Sequence, residues 1–305
     1  MTTKRQETRC GYVVLAGRPN AGKSTLLNTI LGEKLQIVSA TPQTTRNRVL
    51  AVHIRGQSQM VFLDTPGIHE PMNSLGRYMA QAVESAITDA NICLWLVDAA
   101  KARNHDAGLS GAESAVGRQL GESGLPVIAL LNKVDLVRPK ELLLPLSAAV
   151  AALPGIAEVI PISALDGDGV DLVLAAVDAR LPASPWLFPE DMLSDRAERF
   201  FAAELVREAL IELTRQEIPH RAAVVIERFV EHRDRCAIHA AIHVERPSQR
   251  GILVGKGGRM IKEIGIRARL AIEHRLGCPV DLRLHVTVTP DWTSAEALLG
   301  EVGYE

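Results

Sequence analysis

The chain has 305 residues, of which 47% are hydrophobic and 23% charged, a composition typical of folded proteins and long enough for two domains. Its formal net charge of −2 excludes a globally basic protein, so any surface for nucleic acid must be local. No apolar run is long enough for a membrane helix or follows the first residues as a secretory signal would, and the four cysteines form no CxxC pair, as expected for reduced cytosolic thiols.

Short apolar runs without alternation predict strands that are buried on both faces in the first half of the chain. These runs are residues 12–16, 60–63, 92–97 and 126–131. Stretches with helical periodicity lie between them, such as 23–31 and 74–90. The alternation predicts an α/β domain with a parallel-type sheet covered by helices.

A proline-rich stretch then separates two regions of different pattern. Pro182, Pro185 and Pro189 fall within eight residues and predict an extended linker, because proline excludes a continuous helix. We therefore predict an α/β domain at 1–181, a linker at 182–193 and a second, smaller domain at 194–305.

The second domain has its own order of predicted elements. Asp195 is predicted to cap a first helix, and strands are predicted at 222–230 and 237–244. A glycine-rich loop precedes a helix predicted at 259–276, and strict alternation over 280–289 predicts a last, half-buried strand. The order helix, strand, strand, helix, strand predicts an α+β fold.

Residues 17–24 read Gly-Arg-Pro-Asn-Ala-Gly-Lys-Ser and fit the G-x-x-x-x-G-K-[ST] phosphate loop, between a predicted strand and a predicted helix. Backbone N–H groups of such a loop surround phosphates, assisted by the helix N-terminus. Lys23 would place a positive charge at the β- and γ-phosphates, and the Ser24 hydroxyl would bind Mg²⁺. The predicted nucleotide-binding residues here are Gly17, Asn20, Ala21, Gly22, Lys23, Ser24 and Thr25. The alternative is a glycine-rich turn that binds nothing.

Two further segments are predicted to surround the metal and the γ-phosphate. Asp64 follows a buried strand and can bind Mg²⁺, while Gly67 of the same Asp-Thr-Pro-Gly motif lets its N–H approach the γ-phosphate closely. In the polar segment 41–46, a threonine would complete the Mg²⁺ shell when the γ-phosphate is present. We favour Thr45, although the sequence does not decide between it and Thr44. The predicted metal ligands are Ser24, Thr45 and Asp64.

A base pocket is predicted at Asn132-Lys-Val-Asp135, directly after a buried strand. The Asp135 carboxylate can accept two hydrogen bonds from guanine, whereas adenine would leave it desolvated and unpaired. Asn132 would brace the loop, and the stem of Lys133 would cover the base. After another apolar run, the Ser163-Ala164 pair could offer the Ala164 N–H to the guanine oxygen. The same phosphate loop also occurs in kinases and ATPases, an alternative that Asp135 disfavours.

These four segments, in this order, resemble the TRAFAC-class GTPases, and within them 17–24, 43–46 and 64–68 resemble the Era family. In the second half, 188–191, 226–229 and 254–265 resemble that family's linker and KH domain. The resemblance covers nearly the whole chain. It implies an α/β P-loop GTPase domain followed by a smaller α+β type II KH domain. It also implies a ribosome-assembly protein that binds the 3′ end of 16S ribosomal RNA and acts in assembly of the 30S subunit.

The RNA contacts are predicted around Gly255-Lys-Gly-Gly258, which matches the G-x-x-G loop with which KH domains clamp a single strand. The predicted RNA-binding residues are Gly255, Lys256, Gly257, Gly258, Arg259 and Lys262. Between residues 246 and 275 there are eight lysines and arginines but only two acidic residues. A solvated basic helix is the alternative.

Lys23, Thr45, Gly67 and Asn20 are the residues predicted to act in hydrolysis. Ile68 stands where many related GTPases carry a water-orienting glutamine, so we expect slow intrinsic hydrolysis. The resemblance makes Asn20 a candidate ligand of K⁺, since relatives with an asparagine here can use it. A vestigial nucleotide site on an RNA-binding module is the other reading. We expect a monomeric cytoplasmic switch that uses GTP, GDP and Mg²⁺; weak association with the cytoplasmic face of the inner membrane stays open.

Overall fold

The computed structural model describes residues 8–39, 41, 44–102, 109–214 and 217–304, and it divides into two compact units. The first unit comprises Met1–Gln36, Thr45–Glu70 and Met79–Asp195. The second comprises Ile37–Thr44, Pro71–Tyr78 and Arg196–Glu305. Two short segments of the first half therefore belong to the second unit. The linear boundaries predicted from sequence do not assign these segments to the second domain.

A six-stranded sheet forms the centre of the first unit, in the order β2-β3-β1-β4-β5-β6. Its strands are β1 (Arg9–Gly17), β2 (Val49–Arg55), β3 (Ser58–Asp64), β4 (Ile92–Asp98), β5 (Val127–Asn132) and β6 (Ile156–Pro161). The helices of the first half are α1 (Lys23–Leu31), α2 (Ser74–Asp89), α3 (Ala99–Ala102), α4 (Gly111–Gly121), α5 (Leu143–Ala151) and α6 (Val170–Asp178).

The sheet is parallel except at one edge. β1 pairs in parallel with β3 and β4, and the parallel pairing continues to β6. β2 is antiparallel to β3, as is common for an edge strand of an otherwise parallel sheet. The three strands β3, β4 and β5 are buried along their whole length, which explains their unbroken apolar runs. Because parallel strands end at the same edge, the loops after β1, β3 and β5 come together there.

The linker packs against the first unit. The side chain of Gln59, fully buried on β3, accepts hydrogen bonds from the N–H groups of Leu187 (2.9 Å) and Phe188 (3.0 Å) and donates to the Phe188 carbonyl (2.7 Å). The Trp186 indole donates to the carbonyl of Gln57 (3.1 Å). These contacts order a segment that the prolines alone predict only to be extended.

The second unit contains a three-stranded sheet in the order β7-β8-β9. Its elements are α7 (Glu198–Leu213), α8 (Ile218–Arg221), β7 (Ala222–Glu231), β8 (Cys236–Val244), α9 (Pro247–Val254), α10 (Arg259–Leu276), β9 (Val280–Val288) and α11 (Glu296–Leu299). β7 and β8 are antiparallel, whereas β8 and β9 are parallel. One cap prediction was wrong: α7 begins at Glu198 with Ala197 as its N-cap, so Asp195 lies outside the helix.

Within this unit, the last residues of the chain bind the segment Pro71–Tyr78. Ser74 donates its hydroxyl to the carbonyl of Ser294 (2.5 Å), and the Leu75 N–H donates to the carbonyl of Thr293 (3.0 Å). The Tyr304 ring stacks on Trp292 and meets the edge of Tyr78, at centroid distances of 5.8 and 5.9 Å. Among the described helices, none is long and apolar enough to cross a membrane.

Candidate functional site

The phosphate loop joins β1 to α1 and ends in a helix N-terminus without a side-chain cap. Gly22 is the N-cap in a left-handed conformation (φ 103°) and gives α1 no side-chain hydrogen bond. The N–H groups of the first helical turn, at Lys23, Ser24 and Thr25, therefore lack intrahelical acceptors. Such N–H groups, together with the helix dipole, suit an anion such as a phosphate.

Glycine is needed where backbone segments of this loop come closest to their neighbours. Gly17 has φ 141°, and a Cβ there would lie 2.5 Å from the Leu96 carbonyl oxygen. A Cβ on Gly67 would lie 2.7 Å from the backbone nitrogen of Pro19. The N–H of Ile68 donates to the carbonyl of Gly17 (3.0 Å). The Asp-Thr-Pro-Gly motif therefore lies directly against the phosphate loop, as its predicted role requires.

Two opposite charges are buried at the centre of the site. Lys23 donates through Nζ to the carbonyls of Gly17 (3.1 Å) and Arg18 (3.3 Å), and burial lowers its pKa to about 8, an effect that the Asp64 charge opposes. Burial raises the pKa of Asp64 to about 6, opposed by Lys23 and by hydrogen bonds that stabilise the carboxylate. Both shifts record that the charged forms have been removed from water.

The three predicted metal ligands lie together. Ser24 Oγ is 2.9 Å from Asp64 Oδ2 and 2.9 Å from Thr45 Oγ1, and Thr45 Oγ1 donates to Asp64 Oδ2 at 3.4 Å. Asp64 Oδ1 is buried without a hydrogen-bond partner in the described part of the chain. An unpaired carboxylate oxygen beside two hydroxyls is a hard oxygen donor set, which fits Mg²⁺. Thr44 is directed elsewhere, because its hydroxyl donates to the carbonyl of Thr41 (2.8 Å).

Asn132 connects three loops at the end of β5. Its amide nitrogen donates to the carbonyl of Ala21 (2.8 Å). Its amide oxygen accepts from the N–H groups of Lys133 (2.8 Å) and Ala164 (2.9 Å). This is the bracing expected of Asn132. The Ala164 N–H differs from expectation, since it is bonded to Asn132 here instead of being directed toward a base.

Lys133 has a partner that the sequence analysis did not identify. Its Nζ donates to the carbonyl of Asn20 (2.7 Å) and to the buried carboxylate of Asp98 (2.7 Å), at the end of β4. These two bonds hold the lysine stem, which would cover a base. An aspartate directly after the apolar run 92–97 was the available signal for Asp98.

The predicted base-reading carboxylate is held by a neighbouring hydroxyl. Ser163 Oγ donates to Asp135 Oδ1 (2.9 Å) and is also 3.2 Å from Asp166 Oδ2. Only one oxygen of Asp135 is engaged by these bonds, so the carboxylate keeps acceptor capacity for a ligand. The predicted base-pocket residues at 132–135 and 163–164 thus lie at the same edge of the sheet as the phosphate loop.

A second buried acid near the phosphate loop was also missed. Glu113, in the first turn of α4, is 8% exposed, and its Oε2 has no hydrogen-bond partner among the described residues. Burial raises its pKa to about 7, which Arg18 opposes and Asp98 reinforces, while Lys23 and Lys101 oppose it more weakly. In the structure the Ser110 side chain caps α4 by accepting a hydrogen bond from the Glu113 N–H (3.2 Å).

The glycine loop of the second unit lies between α9 and α10. Gly255, Gly257 and Gly258 all have positive φ, of 70°, 64° and 78°, and a Cβ on Gly257 or Gly258 would meet open space. Lys256 and Arg259 are exposed beside them. The glycines are therefore required by the backbone conformation, and the loop leaves room for another backbone to approach.

Only some of the basic residues near this loop are free of acidic partners. Arg267, Arg269 and Arg275 form ion pairs with glutamates. In the part of the chain that is described, Lys256, Arg259 and Lys262 form no ion pair. Among the described residues Arg246 and Arg250 also form no ion pair, so the local excess of positive charge extends from the start of α9 through the glycine loop to the first turn of α10. The exposed apolar side chains of Ile252, Ile266 and Leu270 accompany it.

Comparison with known proteins identifies related families for both halves. Residues 12–133 match the family described as 50S ribosome-binding GTPase, and residues 217–293 match the KH domain family. GTPase Era of Geotalea uraniireducens is 46% identical over 306 residues, covering all of both chains. GTPase Era of Syntrophus aciditrophicus is also 46% identical, covering 97% of this chain and 95% of that protein.

Solved structures give the same result. A complex of Era with MgGDPNP and nucleotides 1506–1542 of 16S ribosomal RNA superimposes with a TM-score of 0.92 at 38% identity, covering 97% of this chain and 99% of the other. A variant of Aquifex aeolicus Era bound to GDP and AlF4⁻ has the same TM-score, identity and coverage.

The buried acid Glu113 should make stability depend on pH. Its folded-state pKa of about 7 exceeds the ordinary value of 4.5, so the native state binds more protons and the free energy of unfolding falls as pH rises between those values. Glu113→Gln cannot ionise. We expect it to be more stable than the parent at pH 8 by on the order of 2–3 kcal/mol, with little difference at pH 4.5.

Urea unfolding of the nucleotide-free protein at the two pH values measures this difference. Glu122→Gln is the matched control, because Glu122 is exposed at the other end of the same helix. A Glu113→Gln effect that is the same at both pH values would contradict the assignment.

Proposed function

Because the chain belongs to the GTPase Era family, we propose that it binds and hydrolyses GTP as a molecular switch. In assembly of the 30S subunit, its KH domain would bind the 3′ end of 16S ribosomal RNA. The observation that carries the GTP part is the convergence of Lys23, Ser24, Thr45 and Asp64 at an uncapped helix N-terminus. Single-turnover hydrolysis of GTP with and without RNA tests it; no turnover in either condition would leave only a binding module.

The nucleotide site acts by positioning and electrostatics. The phosphate loop offers N–H groups, and Lys23 offers a positive charge that burial keeps from being screened by water. The Gly67 N–H would approach the γ-phosphate. Bound Mg²⁺ would supply neutralising charge at the phosphate oxygens, held by Ser24, Asp64 and Thr45. Asp135 would read guanine, with Asn132 and Lys133 fixing the geometry of its loop.

The RNA site is proposed for the glycine loop of the second unit. The loop has three glycines with positive φ, and its basic residues Lys256, Arg259 and Lys262 are exposed. Together with exposed apolar side chains on α9 and α10, they form a surface suited to single-stranded RNA. Phosphates would meet the basic groups, and unstacked bases would meet the apolar ones. The domain limits, a monomeric state and a cytoplasmic location are part of the same proposal.

Asp135→Asn should shift preference from GTP toward xanthosine triphosphate. The amide presents a donor where guanine also has a donor, whereas xanthine has an acceptor oxygen there. Nucleotide-competition titration measures the shift. Asp166→Asn is the matched control, because Asp166 also contacts Ser163 Oγ but has no predicted contact with the base. Unchanged guanine selectivity in Asp135→Asn would rule out the base pocket.

We propose that the protein without a partner hydrolyses GTP slowly, because Ile68 can neither orient water nor donate a proton. We propose that K⁺ beside Asn20 supplies part of the missing charge. Hydrolysis should then be faster in KCl than in NaCl at matched ionic strength, and Asn20→Ala should remove the difference while retaining GTP binding. Equal rates for the parent protein in the two salts would count against the cation.

Replacing Lys256 and Gly257 with two aspartates should abolish RNA binding and leave GTP binding intact. Two carboxylates would repel the phosphate backbone, and an aspartate in place of Gly257 would have to adopt a strained positive φ (64° for the glycine). Loss of Lys256 alone should only lower the salt slope by about 0.7, the value for one contact to a single strand.

The matched control replaces Arg55 and Gly56 with aspartates. It makes the same change in charge at a hairpin turn whose exposed glycine also has positive φ (60°). Filter binding to single-stranded RNA at several salt concentrations, with thermal melts of each variant, gives the comparison. If the folded Lys256/Gly257 variant binds RNA with parental affinity and salt slope, the loop does not contact RNA.

A further inference from the structure

The segment Ile37–Thr44 packs within the second unit, although it leads directly into the metal site. The Ile37 side chain is 3% exposed and belongs to the apolar cluster of the second unit, with α7 residues such as Val206 and Leu210. The N–H of Val38 donates to the carboxylate of Glu208 on α7 (3.3 Å). The segment is therefore attached to α7 at its beginning.

A buried arginine binds the other end of the segment. Arg207 on α7 has a side chain that is 2% exposed, and its Nε and Nη2 donate to the two carboxylate oxygens of Glu204 (2.8 and 2.5 Å). Nη2 also donates to the carbonyl oxygen of Thr44. A guanidinium can make these bonds together because its donors form a rigid planar fork, which a lysine ammonium lacks.

The carbonyl that Arg207 binds lies in the peptide plane that leads into Thr45. The Thr44 C=O and the Thr45 N–H belong to the same rigid planar unit. A bond that holds this plane therefore also restrains the Thr45 Cα, from which the side chain extends. Thr45 Oγ1 is the hydroxyl that lies 2.9 Å from Ser24 Oγ and 3.4 Å from Asp64 Oδ2.

We propose that Arg207, held by Glu204, is a positioning residue for the metal ligand Thr45, so that Mg²⁺-dependent retention of GTP depends on helix α7. The inference rests on the proposed function of the nucleotide site. Burying a charged guanidinium is costly unless it is well paired. Glu204 provides the ion pair for Arg207, and Nη2 makes a further hydrogen bond to the Thr44 carbonyl. Nη1 is buried without a hydrogen-bond partner among the described residues.

The test compares GDPNP, a GTP analogue that is not hydrolysed, with GDP in the full-length protein. Arg207→Met keeps an apolar stem but cannot bind Thr44. We expect its Mg²⁺-dependent affinity for GDPNP to fall by about 10-fold or more, the range found when residues that orient a metal ligand are removed. The affinity for GDP should change little, because Thr45 is required only when the γ-phosphate is present.

A double-mutant cycle with Thr45→Ala separates positioning from general destabilisation. If Arg207 acts through Thr45, adding Arg207→Met to Thr45→Ala should weaken GDPNP binding no further. Arg275→Met is the matched control, since Arg275 also binds a glutamate, Glu198, through two hydrogen bonds in the second unit. It should bind GDPNP like the parent.

If Arg207→Met does not fold, Arg207→Lys decides by the same criteria, because it keeps a charge beside Glu204 but lacks the fork. Parental GDPNP affinity in the folded Arg207 variant, or effects that add to those of Thr45→Ala, would overturn the proposal. A parent protein that fails to bind GDPNP would instead contradict the proposed function, so the two failures are distinguishable.

Discussion

The burial of two opposite charges, Lys23 and Asp64, is the constraint on which the nucleotide site depends. Asp64 is the last residue of β3, opposite Leu15 of the parallel strand β1, and Lys23 is the first residue of the helix that follows β1. Burial lowers the pKa of Lys23 and raises that of Asp64, which favours the neutral form of each. The two buried charges therefore carry an electrostatic cost that their mutual attraction only partly offsets. A ligand with an anion for Lys23 and a cation for Asp64 relieves both at once, which describes a nucleotide with its magnesium ion.

The backbone around these charges is arranged so that few side chains intervene. Gly17 and Gly67 bring three backbone segments into direct contact, and Asn132 joins the phosphate loop to both base-pocket loops. Within the second unit, the last carbonyl of Ile37–Thr44 accepts a hydrogen bond from Arg207.

Features with local causes could be predicted from the sequence. Helices α1 and α10 begin and end as predicted because each is bounded by glycines with positive φ, Gly22 and Gly32 or Gly258 and Gly277. Features that depend on residues distant in sequence could not. Asp98 and Glu113 gain their roles only through burial beside the phosphate loop. The pattern likewise gives no sign that Arg207 binds a backbone carbonyl 163 residues away.

The bonds between the end of the chain and Pro71–Tyr78 have a consequence for biosynthesis. Ser74 and its partner Ser294 are 220 residues apart, so the earlier segment leaves the ribosome well before the residues that bind it. At translation rates of about 5–20 residues per second, the delay is roughly 10–45 s. During that interval strands β4, β5 and β6 of the first unit are synthesised, while the segment Pro71–Tyr78 lacks its contacts with Thr293, Ser294 and Tyr304. A nascent chain would therefore hold Pro71–Tyr78 without these partners until residues 293–304 have been synthesised.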